Sequence, residues 1–394
     1  MTERSQLEDA RQFAGADGLN RVVDRKRILV LCPHPLGVAA GQRLKFEQYY
    51  DDWRRQGWDV VTSPYMDMKL WRILHEPGHS LAMMIGALKG LVRRIGDMLR
   101  IHRYDLVYVF MYVTPVGTTL FERLTRKLSR RLVYDIEDNL LVGYGIKIDF
   151  PNPLLRLLKG PNKAKFLIGH ADHVITSSPI LNDVCRTINR RGACTYISSS
   201  VDTNRFVPVT SKMNGGVITI GWTGTFSTRV YLDQLRPVLQ ELAKRRVFRM
   251  RVIGNFDYSL EGMDLEVVRW TAEREVEDLQ AIDIGLYPLP LVDWVGGKSG
   301  LKAIQYMAIG IPCVATAVGN TPSIIRAGEN GMLVRSDDEW LEALEQLIDK
   351  PALRRKLGAQ ARRDAVAKYS TAAVAGDYRQ VLSDVLALDS ADHA

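Results

Sequence analysis

Short apolar runs, each followed by a glycine-bearing loop and a helical pattern, recur along this chain and restart midway. That recurrence limits the fold more than any other feature. Arg27-Ile-Leu-Val-Leu-Cys32 reads as a buried strand, residues 33–41 as a Pro/Gly-rich turn, 42–56 as a helix and 57–61 as a second strand. Strand, loop, helix, strand requires a crossover between parallel strands, the opening unit of a doubly wound sheet. Further strands are expected at 106–110, 131–134, 173–176 and 195–198. Residues 201–216 are rich in turn formers and lack periodicity, which suits a linker. The alternation then begins again, with strands at 217–221, 250–253, 282–287 and 312–315 and helices at 231–245 and 299–309. Residues 350–369 and 371–388 read as a helical tail broken near Ser370. The expected fold class is α/β, two Rossmann-like doubly wound parallel-sheet domains facing a cleft. A polar leader covers 1–26, the first domain 27–205, a linker 206–216, the second domain 217–370 and a C-terminal helix 371–394.

The 394 residues, 46% hydrophobic and 25% charged, fit two globular domains and exclude a disordered chain or a disulfide scaffold. Charge is divided unevenly. Residues 1–200 carry 30 Lys and Arg against 20 Asp and Glu, and residues 201–394 carry 23 against 25. A basic half beside a neutral one suits an acidic partner such as an anionic membrane surface, or serves solubility alone. No nucleic-acid partner is expected, because no binding motif accompanies the charge. Cys32, Cys185, Cys194 and Cys313 are too scattered for a disulfide framework or a metal site. With no apolar signal segment and no 18-residue apolar run, the expected location is cytoplasmic.

In doubly wound sheets the ligand crevice lies at the carboxyl ends of the strands, so the loops there are where chemistry is sought. Ile220-Gly-Trp-Thr-Gly-Thr-Phe-Ser-Thr-Arg229 places two glycines and three hydroxyls between a strand and a helix. Such a loop either cradles a phosphate through Gly224, Thr225, Ser227 and Thr228 or is a turn capped by Ser227 or Thr228. It is not GxGxxG, so no nicotinamide dinucleotide is indicated. The second segment, Gly296-Gly-Lys-Ser-Gly-Leu301, is not a Walker A loop, because that motif needs a glycine at 292, which is valine. It opens a helix whose orphan N–H groups, positive dipole end and Lys298 converge on one point. Lys298, Lys302 and Gln305 follow i, i+4, i+7 spacing, near one helical face. A diphosphate at the helix start and a ribose farther along both fall within reach; a solvent-facing lysine stripe is the alternative.

These segments together resemble the family-4 retaining glycosyltransferases of GT-B fold. The resemblance is strongest over 218–369: the Gly-Trp-Thr-Gly loop, Asp283-Ile-Gly-Leu-Tyr-Pro-Leu-Pro290, Gln305-Tyr-Met-Ala-Ile-Gly-Ile-Pro312, Ala317-Val-Gly-Asn320 and Glu329-Asn-Gly-Met-Leu-Val334. It extends more weakly through Pro35-Leu-Gly-Val-Ala-Ala-Gly-Gln-Arg43, Ala171-Asp-His-Val-Ile-Thr-Ser177 and Val201-Asp-Thr-Asn-Arg-Phe206. The family often carries two glutamates with seven residues between them; here they fall on Gly297 and Gln305. The Arg and Lys usual after the second domain's first strand are missing, which shifts phosphate charge onto Lys298 and Arg43.

The resemblance implies a nucleoside diphosphate sugar, UDP or GDP, held by the second domain and a glycan or lipid-linked acceptor presented by the first, with no metal or other cofactor. The C-terminal helix is implied to cross back to the first domain. The donor set is Gly224, Thr225, Ser227, Thr228, Gly297, Lys298, Ser299, Gly300, Leu301 and Gln305; the acceptor side is Gly37, Gln42, Arg43, Asp135 and Glu137. Lys298, Arg43 and Asp138 are the expected catalytic residues. Arg43 either faces the cleft or is a surface charge. Asp135-Ile-Glu-Asp138 either approaches the acceptor hydroxyl or is an acidic cluster at a helix start. A binding protein without turnover is the rival reading.

Residues 81–99 place Leu81, Met84, Ile85, Leu88, Val92, Ile95, Met98 and Leu99 near one face, with Lys89, Arg93, Arg94 and Arg100 largely elsewhere. Such a helix lies on an anionic membrane or packs its apolar face on the core. Residues 153–166 form a second basic and apolar patch.

Overall fold

The computed structural model describes residues 25–74, 78–115, 118–137, 162–209 and 216–388. In the first half, β1 (Arg27–Cys32), β2 (Asp59–Pro64), β3 (Leu106–Phe110), β4 (Leu132–Ile136), β5 (His173–Thr176) and β6 (Cys194–Tyr196) form one sheet in the order β2-β1-β3-β4-β5-β6. In the second, β7 (Ile218–Thr223), β8 (Phe248–Ile253), β9 (Asp264–Val268), β10 (Ile284–Tyr287), β11 (Cys313–Thr316) and β12 (Gly331–Val334) form another, ordered β12-β11-β10-β7-β8-β9. Every neighbouring pair is parallel.

Helices cover both faces, as a parallel sheet requires. On β1, Ile28, Val30 and Cys32 join Tyr49, Trp53 and Tyr108, whereas Leu29 and Leu31 point the other way into a cluster with Val107, Ile168 and Leu181. This period-2 division, with both faces apolar, is why the strands read as unbroken hydrophobic runs.

The expected helix over 42–56 is broken into α1 (Ala40–Arg43), a 3-10 turn at Glu47–Tyr49 and α2 (Tyr50–Arg55). After β2 come α3 (Met68–Ile73) and α4 (Ser80–Arg100), and α5 (Leu120–Leu128), α6 (Asn162–His170) and α7 (Pro179–Ile188) complete the first layer. In the second half, α8 (Arg229–Asp233) and α9 (Arg236–Arg245) replace one expected helix, with Pro237 opening the second piece. They are followed by α10 (Glu275–Gln280), α11 (Leu301–Ala308), α12 (Thr321–Ile324), α13 (Asp337–Asp349) and α14 (Pro351–Lys368). The last helix, α15 (Thr371–Ala387), puts Val374, Tyr378, Leu382 and Val385 into the core of the first sheet. The chain passes between domains twice, and the passages hydrogen-bond to each other: Val201 N–H donates to Tyr369 O at 2.9 Å and Thr371 N–H to Val201 O at 3.1 Å.

Helix α4 is turned opposite to a core-facing amphipathic helix. Leu81, Met84, Ile85, Leu88, Val92, Ile95 and Leu99 are exposed, from 47% for Ile85 to 74% for Leu99. Gly90, Arg94, Asp97 and Met98 are buried. The close approach sets this orientation, since a Cβ on Gly90 would lie 2.7 Å from the Tyr65 ring. Arg94 then donates to Cys32 O, Ser63 O and Val113 O at 2.9, 2.9 and 2.7 Å and pairs with Asp97 at 2.9 Å. It satisfies backbone acceptors at the carboxyl ends of β1 and β2. No helix among the described residues is long and apolar enough to cross a membrane.

Candidate functional site

Strand order reverses between β1 and β3 in the first sheet and between β7 and β10 in the second, so the loops after these strands flank the two switch points. The loop after β10 reaches across to the first domain. Its 3-10 turn, Asp293–Gly297, is held by hydroxyls that follow β5: Ser178 Oγ donates to Gly296 O at 2.5 Å and Ser177 Oγ to Gly297 O at 2.9 Å. A side chain at Gly296 would meet Ile180, at 3.1 Å from its Cγ2. Gly296 and Gly297 therefore close the cleft, and the helix begins later than their sequence suggests.

That helix is α11. Its N-cap is Gly300 at φ 77°, and a Cβ there would stand 2.1 Å from Ile324 Cδ1, so both backbone and space select glycine. Ser299 is buried and its carbonyl accepts from Asn320 Nδ2 at 3.3 Å. Leu301 and Lys302 occupy the first turn, where N–H groups have no intrahelical acceptor. Lys302 Nζ lies 4.5 Å from the Trp222 ring centroid and 6.0 Å from that of Tyr287. Burial, and then the Lys298 ammonium, pull Lys302 down to about 7.

Two turns in, Gln305 is buried and donates through Nε2 to Glu275 Oε1 at 3.2 Å. Glu275, the first residue of α10, is 3% exposed. It takes Arg43 Nη2 on both oxygens at 2.8 and 2.6 Å, accepts from Trp270 Nε1 at 3.4 Å, and has Arg205 Nη1 at 3.9 Å. Arg43 thus faces the cleft, with its guanidinium 5.8 Å from the Trp270 ring centroid. Glu275 links Arg43 of the first domain, Arg205 before the linker and Gln305 of α11; no sequence motif pointed to it.

The loop after β7 is a capped turn, with Thr225 as the cap in place of Ser227 or Thr228. Thr225 and Thr228 form a reciprocal capping box, Thr225 N–H donating to Thr228 Oγ1 at 3.0 Å, and Ser227 Oγ is 3.0 Å from Thr225 Oγ1. Gly224 is explained by the neighbouring indole, since a Cβ would lie 2.2 Å from Trp222 Cη2. The same ring underlies Lys302, so Trp222 joins this loop to α11.

On the first-domain side, Glu137 follows β4 into the cleft. Its Oε1 is 3.5 Å from Ser299 Oγ, a long contact, and a Cβ on Gly41 would strike its carboxylate. Asp135 does not reach the cleft. It sits in β4 fully buried, paired with Lys45 and accepting from Tyr108 Oη, so its place is in the core. Gln42 is also buried and braces the preceding loop, bonding His34 O at 2.9 Å and Glu47 Oε1 at 2.5 Å, while Gly37 N–H donates to Glu47 Oε2 at 2.8 Å. Asp138 and most of the 153–166 patch lie outside the described residues. Lys163, from that patch, turns inward and donates to Thr114 O at 2.9 Å.

With this geometry in place, comparison with known proteins is informative. Residues 218–350 match the family described as glycosyl transferases group 1. The second domain is a group 1 glycosyltransferase domain. A D-inositol 3-phosphate glycosyltransferase of Corynebacterium aurimucosum is 33% identical over 132 residues, covering 32% of this chain and 30% of that protein. The match therefore spans under a third of the relative's own length. Sucrose-phosphate synthase of Thermosynechococcus elongatus superposes at a TM-score of 0.69 and 18% identity, over 92% of this chain and 100% of that one. HepE of Anabaena, solved with UDP-glucose, superposes at 0.58 and 15% identity, over 91% and 99%. Both place the glycosyltransferase domain and its partner domain in the GT-B architecture.

Proposed function

We propose that this protein is a retaining, family-4 type glycosyltransferase that moves a sugar from a nucleoside diphosphate sugar, UDP- or GDP-linked, to a glycan or lipid-linked acceptor. One observation carries the reading: Lys298, Lys302 and the start of α11 bring positive charge together at the second sheet's switch point. Such a cluster suits a diphosphate. HepE was solved with UDP-glucose, a nucleoside diphosphate sugar, and the relative from Corynebacterium aurimucosum is named a glycosyltransferase.

In such a transfer the bond from sugar C1 to the diphosphate oxygen breaks, and its electron pair leaves on that oxygen. The acceptor oxygen bonds to C1 from the same face, and its proton passes to the departing diphosphate. The site's task is to hold charge on the leaving group, which ammonium groups and backbone N–H groups do without reorganising. The transfer needs no metal in this scheme, so chelation by EDTA should leave the rate unchanged.

The test is a thermal-shift screen against UDP, GDP and their sugars, followed by sugar release with and without acceptor. A ligand at a hundred times its Kd raises stability by about 2.7 kcal/mol. Binding without release in the presence of any acceptor would favour a binding protein, a reading motivated by Gly297 standing where relatives carry glutamate.

We further propose that the acceptor lies at an anionic membrane, on the cytoplasmic side, a reading supported by the exposed stripe of α4. Lys89 is exposed and Arg93 and Arg100 are half-buried along one side of that stripe, and Lys69 and Arg72 are exposed on neighbouring α3. Asp97 and Glu122, acids of α4 and α5, are buried, Asp97 holding Arg100 at 2.7 Å, and Arg93 donates to Pro64 O at 2.6 Å, so Lys89, Lys69 and Arg72 are the basic groups shown to a membrane, beside a partly exposed Asp67. An apolar stripe with a basic rim fits an anionic bilayer, each basic residue adding about 1 kcal/mol near the surface. Flotation with vesicles of varied anionic lipid content tests this; binding should rise with anionic content and fall with salt.

A further inference from the structure

We propose that Lys302 is the residue that captures the donor's diphosphate, and that docking of the diphosphate draws a proton onto it. This rests on the donor-site reading above and adds to it which of the two lysines is the anchor and what happens to its proton.

The observation is an ammonium without a counter-ion. Lys302 is partly buried, lies over Trp222 from β7 and beside Tyr287 from β10, and has no hydrogen bond or ion pair among the described residues. The charged group that bears on it is another cation, Lys298, in the turn before its own helix. Folding alone does not favour this arrangement. A methionine would cover the same rings without desolvating a charge, and removing an unpaired charge from a protein interior is stabilising as a rule. The two rings hold the chain in one direction, and a cation over an aromatic face keeps part of its charge stabilisation. What is missing is an anion, and the nearest feature that invites one is the start of α11, eight residues long, with orphan N–H groups in the same turn.

The proton follows from the same geometry. Burial and Lys298 hold Lys302 near 7, so at neutral pH the free protein contains both forms. A diphosphate diester brings two negative charges, which favour the ammonium and raise its pKa in the complex. Below about pH 7 the free protein already holds the proton, and affinity for diphosphate is flat. Above it, each complex formed must take up a proton, so affinity falls by up to tenfold per pH unit until the pKa of the complex is reached. A nucleoside lacks the charge and shows no such slope.

The experiment titrates UDP-glucose and GDP-glucose, diphosphate diesters that do not themselves titrate in this range, and uridine and guanosine into wild type, Lys302→Met, Lys302→Arg and Lys298→Met between pH 6 and 9. Lys302→Met should weaken the preferred diphosphate roughly tenfold or more while leaving its nucleoside nearly unchanged. Wild-type affinity for the diphosphate should fall above pH 7, and Lys302→Arg, charged throughout, should flatten that slope. Without ligand, Lys302→Met should melt higher than wild type at pH 6, which separates loss of a site from loss of the fold. If Lys302→Met weakens nucleoside and diphosphate alike, or wild type shows no slope, Lys302 is a packing residue. If wild type binds diphosphates and only Lys298→Met loses them, the donor site stands and Lys302 is not its anchor. If wild type prefers neither diphosphate to its nucleoside, the donor-site reading itself falls, and this proposal with it.

Discussion

Arg43 and Gln305 reach the same carboxylate from opposite domains, which makes Glu275 the residue on which the cleft's polar network depends. At 3% exposure it cannot be hydrated in place of its partners. Arg43→Met should therefore destabilise the protein by about 2 kcal/mol, less than the 3–5 of a fully buried pair because Gln305 and Trp270 still donate. Adding Glu275→Gln to that variant should recover part of the loss; a urea double-mutant cycle measures the coupling, and additive effects would show that the ion pair contributes nothing. Sequence reading singled out Arg43, Lys298 and Gln305 because each sits at a fixed offset within a local motif. It missed Glu275 because Arg43 is 232 positions away and no local pattern marks a residue whose partners are so distant. Asp135 failed for the opposite reason. It belongs to an acidic-looking run, but it lies inside β4, where it is buried beside Lys45, whereas Glu137 follows the end of the strand and enters the cleft.

At the scale of elements, α4 shows how far a pattern can be read. Its length, its helical character and its apolar stripe are all legible. The direction of the stripe is not, because amphipathicity fixes a face and not what lies against it. The inward face is marked by Gly86, Gly90 and Arg94, small residues and a many-donor side chain at i, i+4, i+8, a signal easily outweighed by eight apolar positions. Leu88→Glu with Val92→Glu should leave stability within about 0.5 kcal/mol, since both are exposed, while abolishing vesicle flotation. Gly90→Val should do the reverse, melting the protein early by forcing Tyr65 aside. Equal flotation of the double glutamate variant and wild type would remove α4 from the membrane reading. Strand β9 escaped detection for a related reason: an edge strand with Asp264 and Val267 exposed alternates too weakly to stand out from a loop.

For the whole molecule, the restart of the strand and helix alternation was enough to fix two parallel sheets, since connection length and handedness leave few other arrangements. Strand order was beyond it, because pairing between β1 and β3 or β7 and β10 depends on which side of the sheet each crossover takes. The last helix couples the two halves: α15 follows the second domain in sequence and packs on the first, with the Tyr378 ring centroid 4.8 Å from that of Tyr49 and 6.0 Å from that of Trp53. Tyr378→Ala removes a fully buried ring, a change that costs about 3–5 kcal/mol at comparable sites. The loss falls on the first domain's core alone. A protein that wild type unfolds in one cooperative step should then show two transitions, the first domain leaving at lower urea and the second near the wild-type midpoint. UDP or GDP, whichever binds, should raise the second transition more than the first, because Lys298, Lys302 and Gln305, the residues proposed to hold it, all lie in the second domain. A single transition shifted as a whole would mean that the Val201–Ser370 crossing and the Glu275 network bind the domains into one unit, and that α15 stabilises both.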